Sequence, residues 1–170
     1  LHQMGIEVHM ISAVGQDALG DELLQKLDHW NMSSKGIQRN TDYPTSTVVA
    51  TIDEDNEAHY EIKEGVAWDH IQLVENDTQQ IKEAQALVFG SLAARNMVSR
   101  ETLYSLVENS TYRVFDGNLR PPYIDQELLL QLLKKSDLAK FNAAELQLVL
   151  SYLDKQYADV QDGIFFLQDH

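Results

Sequence analysis

The sequence predicts an α/β protein: a layered, mostly parallel sheet with flanking helices, from which a small β-hairpin projects as a lid. Three observations carry that expectation. Short runs rich in β-branched and aromatic residues alternate with runs whose leucines recur at helical spacing, the pattern of strands joined by crossover helices. Residues 47–63 break the alternation with two β-rich runs around the polar turn Asp53-Glu54-Asp55-Asn56-Glu57, and an antiparallel pair has no natural place inside a parallel βα series. The 170 residues are 44% hydrophobic and 24% charged, a balance that lets one core form and argues against wholesale disorder.

In chain order, residues 7–14 read as the first strand, with Val8, Met10, Ile11 and Val14 between Gly5 and Gly15. Leu19, Leu23, Leu24, Leu27 and Trp30 then share one face of a helix, whose acidic start at Asp17, Asp21 and Glu22 suits the positive end of its dipole. Residues 47–52 and 58–63 form the hairpin. Residues 86–92 are again a strand, and 101–109 a helix carrying Leu103, Leu106 and Val107. A strand at 112–116 ends before Pro121-Pro122, which halt regular structure. The leucine-rich helix at 126–135 closes on Lys134 and Lys135, a short strand follows at 138–141, and a helix at 143–153. For residues 160–170, Asp162 ahead of Ile164, Phe165, Phe166 and Leu167 favours a helix over a strand. The expected division is an α/β core of residues 1–43 and 67–170, with residues 44–66 inserted as the lid. Four parallel strands are few for a twisted sheet, and Leu1 is not an initiator methionine, so the chain reads as part of a longer protein.

Charge and composition exclude several classes of function. With 13 basic and 27 acidic residues the net charge is −14, which repels a nucleic-acid backbone and an anionic membrane alike. No apolar run approaches the roughly 20 residues that cross a bilayer. The absence of cysteine removes disulfides, thiolate catalysis and thiolate-bound zinc, and fits a cytoplasmic location. The six histidines show no metal-binding spacing, and neither a P-loop nor a G-x-S-x-G string occurs.

In parallel sheets, ligands bind beyond the carboxyl ends of the strands, where four loops fall. In Gly15-Gln16-Asp17-Ala18-Leu19-Gly20, the glycines Gly15 and Gly20 admit a close backbone and Asp17 can accept from sugar hydroxyls; equally, the loop is a tight turn with Asp17 at a helix N-terminus. Phe89-Gly90-Ser91-Leu92 brings Arg95 towards an anion, or is a turn followed by a surface arginine. Asp116, Asn118 and Arg120 stand at alternate positions after a strand, an acceptor, an amide and a cation suited to a polyol beside a phosphate. Their structural alternative is a turn in which Arg120 bridges to Asp116. Asn142-Ala143-Ala144-Glu145 has the form of a capping box, and Glu145 can also face magnesium through that ion's water shell.

Taken in order, these segments resemble the PfkB, or ribokinase-like, carbohydrate kinases. Val14-Gly15-Gln16-Asp17-Ala18-Leu19-Gly20 is similar to the end of that family's N-terminal signature. Pro44-Thr45 and the hairpin are similar to its lid, and Val66-Ala67-Trp68-Asp69 to the segment leaving the lid. Phe89-Gly90-Ser91-Leu92-Ala93 through Arg95, then Phe115-Asp116-Gly117-Asn118-Leu119-Arg120-Pro121-Pro122, then Lys140-Phe141-Asn142-Ala143-Ala144-Glu145 follow in family order. Within the family the flavour is that of fructokinases, because Glu61 and Lys63 stand where the sugar-acid kinases usually carry Tyr and Arg.

The resemblance implies ATP-dependent phosphorylation of a sugar hydroxyl. It implies a sugar site lined by Gly15, Asp17, Gly20, Arg95, Asp116, Asn118 and Arg120, with Arg120 contacting either the sugar or the transferring phosphate. Asn142 and Glu145 would organise ATP phosphates and Mg²⁺, Glu145 acting on the metal through water. The family's G-A-G-D segment, whose Asp is the catalytic base, is absent from these residues, so no catalytic residue is assigned and the isolated chain is expected to be inactive. Alternative expectations are a kinase for another sugar, a sugar acid or a nucleoside, and a sugar-binding or regulatory module without catalysis. Pairing of lids between two copies of the chain is a further one. Gly117 stands where the family commonly has a larger residue.

Overall fold

Parallel pairing organises the chain into two sheets, and a third, antiparallel one stands apart. The computed structural model describes residues 1–52, 58–153 and 159–168. β1 (Ser12–Gly15) leads through α1 (Ala18–His29) to β2 (Ile37–Asn40), which lies parallel to it with Ser12 opposite Ile37 and Gly15 opposite Asn40. β3 (Val48–Ile52) and β4 (Ala58–Ile62) form the hairpin, an antiparallel sheet of two strands with Val48 opposite Ile62. The predicted turn at residues 53–57 and the last two residues of the predicted terminal helix lie outside the described residues.

The second half is a regular βα series. α2 (Glu75–Glu83) precedes β5 (Leu87–Phe89); α3 (Met97–Asn109), β6 (Arg113–Asp116), α4 (Gln126–Lys134), β7 (Leu138–Lys140), α5 (Ala143–Tyr152) and α6 (Val160–Gln168) follow. β5, β6 and β7 pair in that order and in parallel, with Phe89 opposite Phe115 and Phe115 opposite Ala139. Phe89, Leu103, Val107, Phe115, Leu119, Leu128, Leu129, Leu132 and Val149 bury their side chains together, joining this sheet to α3, α4 and α5. Each such burial contributes about 1.5–3 kcal/mol before the entropy of ordering is subtracted. The row across the sheet that runs Val88, Val114, Leu138 shows the opposite behaviour, with Val88 53% and Leu138 47% exposed.

Several expectations change in detail. The described residues contain five parallel strands in two sheets, not four in one. β2, Ile-Gln-Arg-Asn, has one apolar residue and no alternation, so it owes its conformation to pairing with β1. The first strand begins at Ser12 and not at residue 7; before it, His9 Nε2 lies 3.1 Å from the buried Asp77 Oδ1 of α2. α2 carries a single apolar residue, Ile81, which it buries together with Asp77, and that sparse pattern hides it from a periodicity search. α3 starts four residues earlier than predicted because Asn96 caps it, accepting from the Val98 amide at 3.0 Å. The apolar stripe of α1 is largely open, with Leu19, Leu23 and Trp30 exposed.

A 3₁₀ turn at Ala67–His70 connects the two parallel sheets. Ala67 and Ile71 pack on Ala13 of β1. From α3, Ser99 Oγ donates to Trp68 O at 2.8 Å and accepts from Ile71 N at 2.9 Å, while Thr102 Oγ1 donates to Ile71 O. Among the described residues, no helix is long and apolar enough to cross a membrane.

Candidate functional site

The carboxyl ends of β5, β6 and β7 meet at one rim. A Cβ on Gly90, after β5, would lie 3.0 Å from Asp116 O at the end of β6, so the glycine allows those chain segments to approach. Gly117 N donates to Lys140 O at 2.9 Å, tying the β6 loop to the end of β7. A Cβ on Gly117 would stand 2.5 Å from Cδ1 of Phe141, whose ring also meets Phe115 edge-on at 5.8 Å. The phenyl ring therefore fills the space that a larger residue would take at position 117, which accounts for the glycine.

Glu145 draws the next pieces together. Asn142 Oδ1 accepts from Glu145 N and Glu145 Oε2 accepts from Asn142 N, both at 2.9 Å, completing the capping box that the sequence predicts. The other carboxylate oxygen, Oε1, accepts from Leu119 N at 2.9 Å, so one side chain starts α5 and shapes the β6 loop. Asn118, next to that amide, adopts the left-handed conformation with φ 37° and is exposed. The expected bridge from Arg120 to Asp116 does not form. Asp116 Oδ1 pairs with Lys140 Nζ at 2.9 Å, and the exposed Arg120 guanidinium has no hydrogen bond or ion pair among the described residues.

Two residues expected at the sugar, Asp17 and Arg95, hydrogen-bond to the chain on either side of the hairpin. Asp17 caps α1 by accepting from Gly20 N at 2.8 Å, and the same Oδ1 accepts from Thr45 Oγ1 at 2.7 Å. Its Oδ2 accepts from Thr45 N at 2.8 Å. The Thr45 backbone amide, the Thr45 hydroxyl and then the Gly20 amide favour the carboxylate and hold its pKa below the usual value. Thr45 Oγ1 also accepts from Gly15 N at 2.8 Å, and a Cβ on Gly15 would lie 2.5 Å from Thr45 N. Gly15 is a glycine because the hairpin's entry passes over it, and Gly20 because a Cβ there would collide with Gly15 O. The first loop is thus a seat for Thr45, and none of its residues hydrogen-bonds to Arg120 or Glu145 among the described residues.

The Arg95 side chain is only 7% exposed and faces Asp69. Nε donates to Asp69 Oδ1 at 2.6 Å and Nη2 to Asp69 Oδ2 at 2.9 Å, a two-pronged pair. Nη2 also donates to Lys63 O at 2.5 Å, just past β4. The guanidinium carbon lies 4.1 Å from the Trp68 ring centre and 4.6 Å from that of Tyr123. Tyr123 donates its hydroxyl to Ile62 O at 2.8 Å; burial, then the nearby Glu64 carboxylate, raise its pKa, so it keeps the proton that it donates. Sequence reasoning missed Thr45, Asp69 and Tyr123 as partners. Its only signals were the similarity of the flanks of the hairpin and the Tyr beyond the two prolines.

No group of three or more His, Asp or Glu side chains among the described residues could enclose a metal ion. Glu145, both of whose oxygens already accept from backbone amides, fits a magnesium ion only through water, since Mg²⁺ keeps several waters and uses few carboxylates.

A profile described as pfkB family carbohydrate kinase matches residues 1–166. The chain belongs to this family. It is 27% identical over 168 residues to a Pyrococcus horikoshii protein named as a sugar kinase, covering 95% of this chain and 54% of that one. It is 29% identical over 164 residues to a fructokinase of Salmonella typhimurium, covering 91% of this chain and 53% of that one. The chain thus spans about half the length of these relatives. Among solved structures, the Vibrio cholerae fructokinase superposes with a TM-score of 0.80 at 22% identity, over 99% of this chain and 59% of that one. The P. horikoshii sugar kinase in complex with ATP superposes with a TM-score of 0.76 at 24% identity, over 86% of this chain and 51% of that one. The fold is the ribokinase-like α/β fold of these carbohydrate kinases.

Proposed function

We propose that this chain supplies the sugar-facing and part of the phosphate-facing half of an ATP-dependent sugar kinase, with fructose as the leading substrate. The observation that carries the reading is the Arg120 guanidinium, unpaired among the described residues, beside the exposed Asn118, on a loop that Glu145 ties to the N-terminus of α5. In a phosphoryl transfer, negative charge spreads over the oxygens of the moving group, and a fixed cation with oriented amides stabilises it. Arg120 serves as that cation. Asn118 and Asp116 present an amide and a carboxylate to sugar hydroxyls. Asn142 and Glu145 hold the α5 N-terminus, whose amides suit a phosphate, and Glu145 holds water on magnesium. Magnesium, when bound, neutralises phosphate charge. Residues 44–66 act as the lid that excludes water from the sugar. The relative named fructokinase and the ATP-bound neighbour support the choice of substrate and nucleotide.

These residues contain no G-A-G-D string and so no candidate for the family's base, a group that ordinarily contributes about 10²- to 10⁴-fold. The test is a coupled kinase assay with ATP, magnesium and a panel of sugars, sugar acids and nucleosides. We expect no turnover from the 170 residues and turnover of fructose from a longer chain carrying G-A-G-D. In the longer chain, Arg120→Gln should lower kcat/KM by about 10²-fold or more. Robust turnover by the 170 residues, or indifference to Arg120→Gln, defeats the proposal. A cytoplasmic location accords with the lack of cysteine. Val48 and Val49, exposed on the hairpin, also offer a surface for pairing two lids; Val48→Glu should then shift light scattering towards monomer, and an unchanged mass would dismiss the pairing.

A further inference from the structure

The hairpin is gripped where it leaves, and the grip comes from one buried cation. Two successive carbonyls at the end of β4 are held: Ile62 O by the Tyr123 hydroxyl at 2.8 Å, and Lys63 O by Arg95 Nη2 at 2.5 Å. Arg95 and Tyr123 stack on each other, with Trp68 also against the guanidinium. Asp69 takes two of the guanidinium's donors and also accepts from Val66 N at 3.2 Å, fixing the return of the chain into the core. Tyr123 in turn belongs to the β6 loop, its amide donating to Arg120 O at 2.9 Å. The carbonyl of Arg120, the phenol of Tyr123, the guanidinium of Arg95 and the last carbonyls of the hairpin thus form one continuous chain of contacts.

Neutralising Asp69 does not by itself require this arrangement. A single ammonium would do that, whereas a planar fork is needed to hold a carboxylate and a carbonyl together between two rings. The fork is also incomplete, because among the described residues Nη1 is buried without a hydrogen-bond partner. A group that served stability alone would be a poor choice here, since a buried ion pair is weak evidence for stability and an unpaired buried donor opposes it.

We infer that Arg95 is a positioning residue: it docks the exit of the hairpin onto the β6 loop and couples the hairpin's position to occupancy of Asn118 and Arg120. The docking stands on geometry alone, while the coupling rests on the substrate site proposed above. Arg95 touches no reacting atom in this scheme and acts through Tyr123 and Lys63.

The test uses the 170-residue chain in a Trp30→Phe background, which leaves Trp68 as its single tryptophan. Arg95→Met and Arg95→Lys are compared with Arg113→Met, which removes a cation from the exposed pair with Asp137. We expect Arg95→Met to shift Trp68 emission and to speed amide exchange in β3 and β4 about tenfold or more, with β5 and β6 unchanged. Arg113→Met should alter neither. Arg95→Lys should recover less than half of the effect; full recovery would reduce Arg95 to a counter-charge and overturn the proposal, as would unchanged exchange in β3 and β4. If Arg95→Met fails to fold, Tyr123→Phe reads the same grip by removing only the hydroxyl on Ile62 O, and unchanged hairpin exchange there is equally fatal. D-fructose is the probe for coupling. It should slow exchange at residues 117–120 and in the hairpin of the parent chain, but only at residues 117–120 in Arg95→Met. Hairpin protection surviving in Arg95→Met overturns the coupling. No protection anywhere in the parent overturns the coupling together with the proposed sugar site, and the docking is then decided by Trp68 emission and by ligand-free hairpin exchange in Arg95→Met.

Discussion

At the scale of single residues, the glycines and the acids that bind them carry most of the information. Gly117 is small because Phe141 fills its space, so Gly117→Ala should destabilise the chain by about 1–3 kcal/mol in urea unfolding, the usual effect of forcing an extra methyl into packed surroundings. An unchanged midpoint would mean that Phe141 moves aside freely. Asp17 gives a pH prediction. Its folded-state pKa lies below the unfolded value, so the folded chain binds fewer protons. Its contribution is complete above the ordinary carboxylate range and is lost as pH falls through the lowered pKa, that is, below about pH 4. Thr45→Val removes the hydroxyl on Asp17 and should flatten this acid limb of the stability curve, measured by thermal unfolding from about pH 6 down to about pH 3.

Elements are joined here by caps that serve two masters. Asn142 is an ordinary N-cap, and Asn142→Ala should cost about 0.5–2 kcal/mol of stability. Glu145 completes the same box but also holds Leu119 N in the β6 loop. Glu145→Ala should therefore do what Asn142→Ala does not: speed amide exchange at Leu119, as read by hydrogen exchange. The N-x-x-E pattern was legible as a cap because its partners lie three residues apart. Its second bond, 26 residues away, could not be read from spacing, nor could the bonds from Thr45 to Asp17 or from Arg95 to Asp69. Strands with alternating or β-branched patterns, and helices with leucine stripes, were legible for the same local reason. β2 and α2 were not, since one apolar residue in each carries no period.

For the whole molecule, the sheet formed by β5, β6 and β7 is covered by helices on one side, while Val88 and Leu138 on the other are about half exposed. Parallel sheets ordinarily bury both faces. The chain should accordingly bind a neutral apolar dye such as Nile red, and Val88→Thr with Leu138→Thr should lower that fluorescence at least twofold without loss of secondary structure. Dye binding that ignores both substitutions would move the apolar surface elsewhere, for example to Leu19, Leu23 and Trp30 on α1.

What the amino-acid order determined unaided was the α/β class, the separate hairpin, the rim where the βα loops end and the capping box at Asn142, all of which follow from periods and neighbours a few residues apart. The roles of Asp17 and Arg95 were decided only by the folded chain. Both were expected at a sugar, and both hold an end of the hairpin. An isolated carboxylate or guanidinium offers the same chemistry to a ligand and to a backbone, and which of them it meets depends on contacts closed across 26 to 32 residues of intervening sequence.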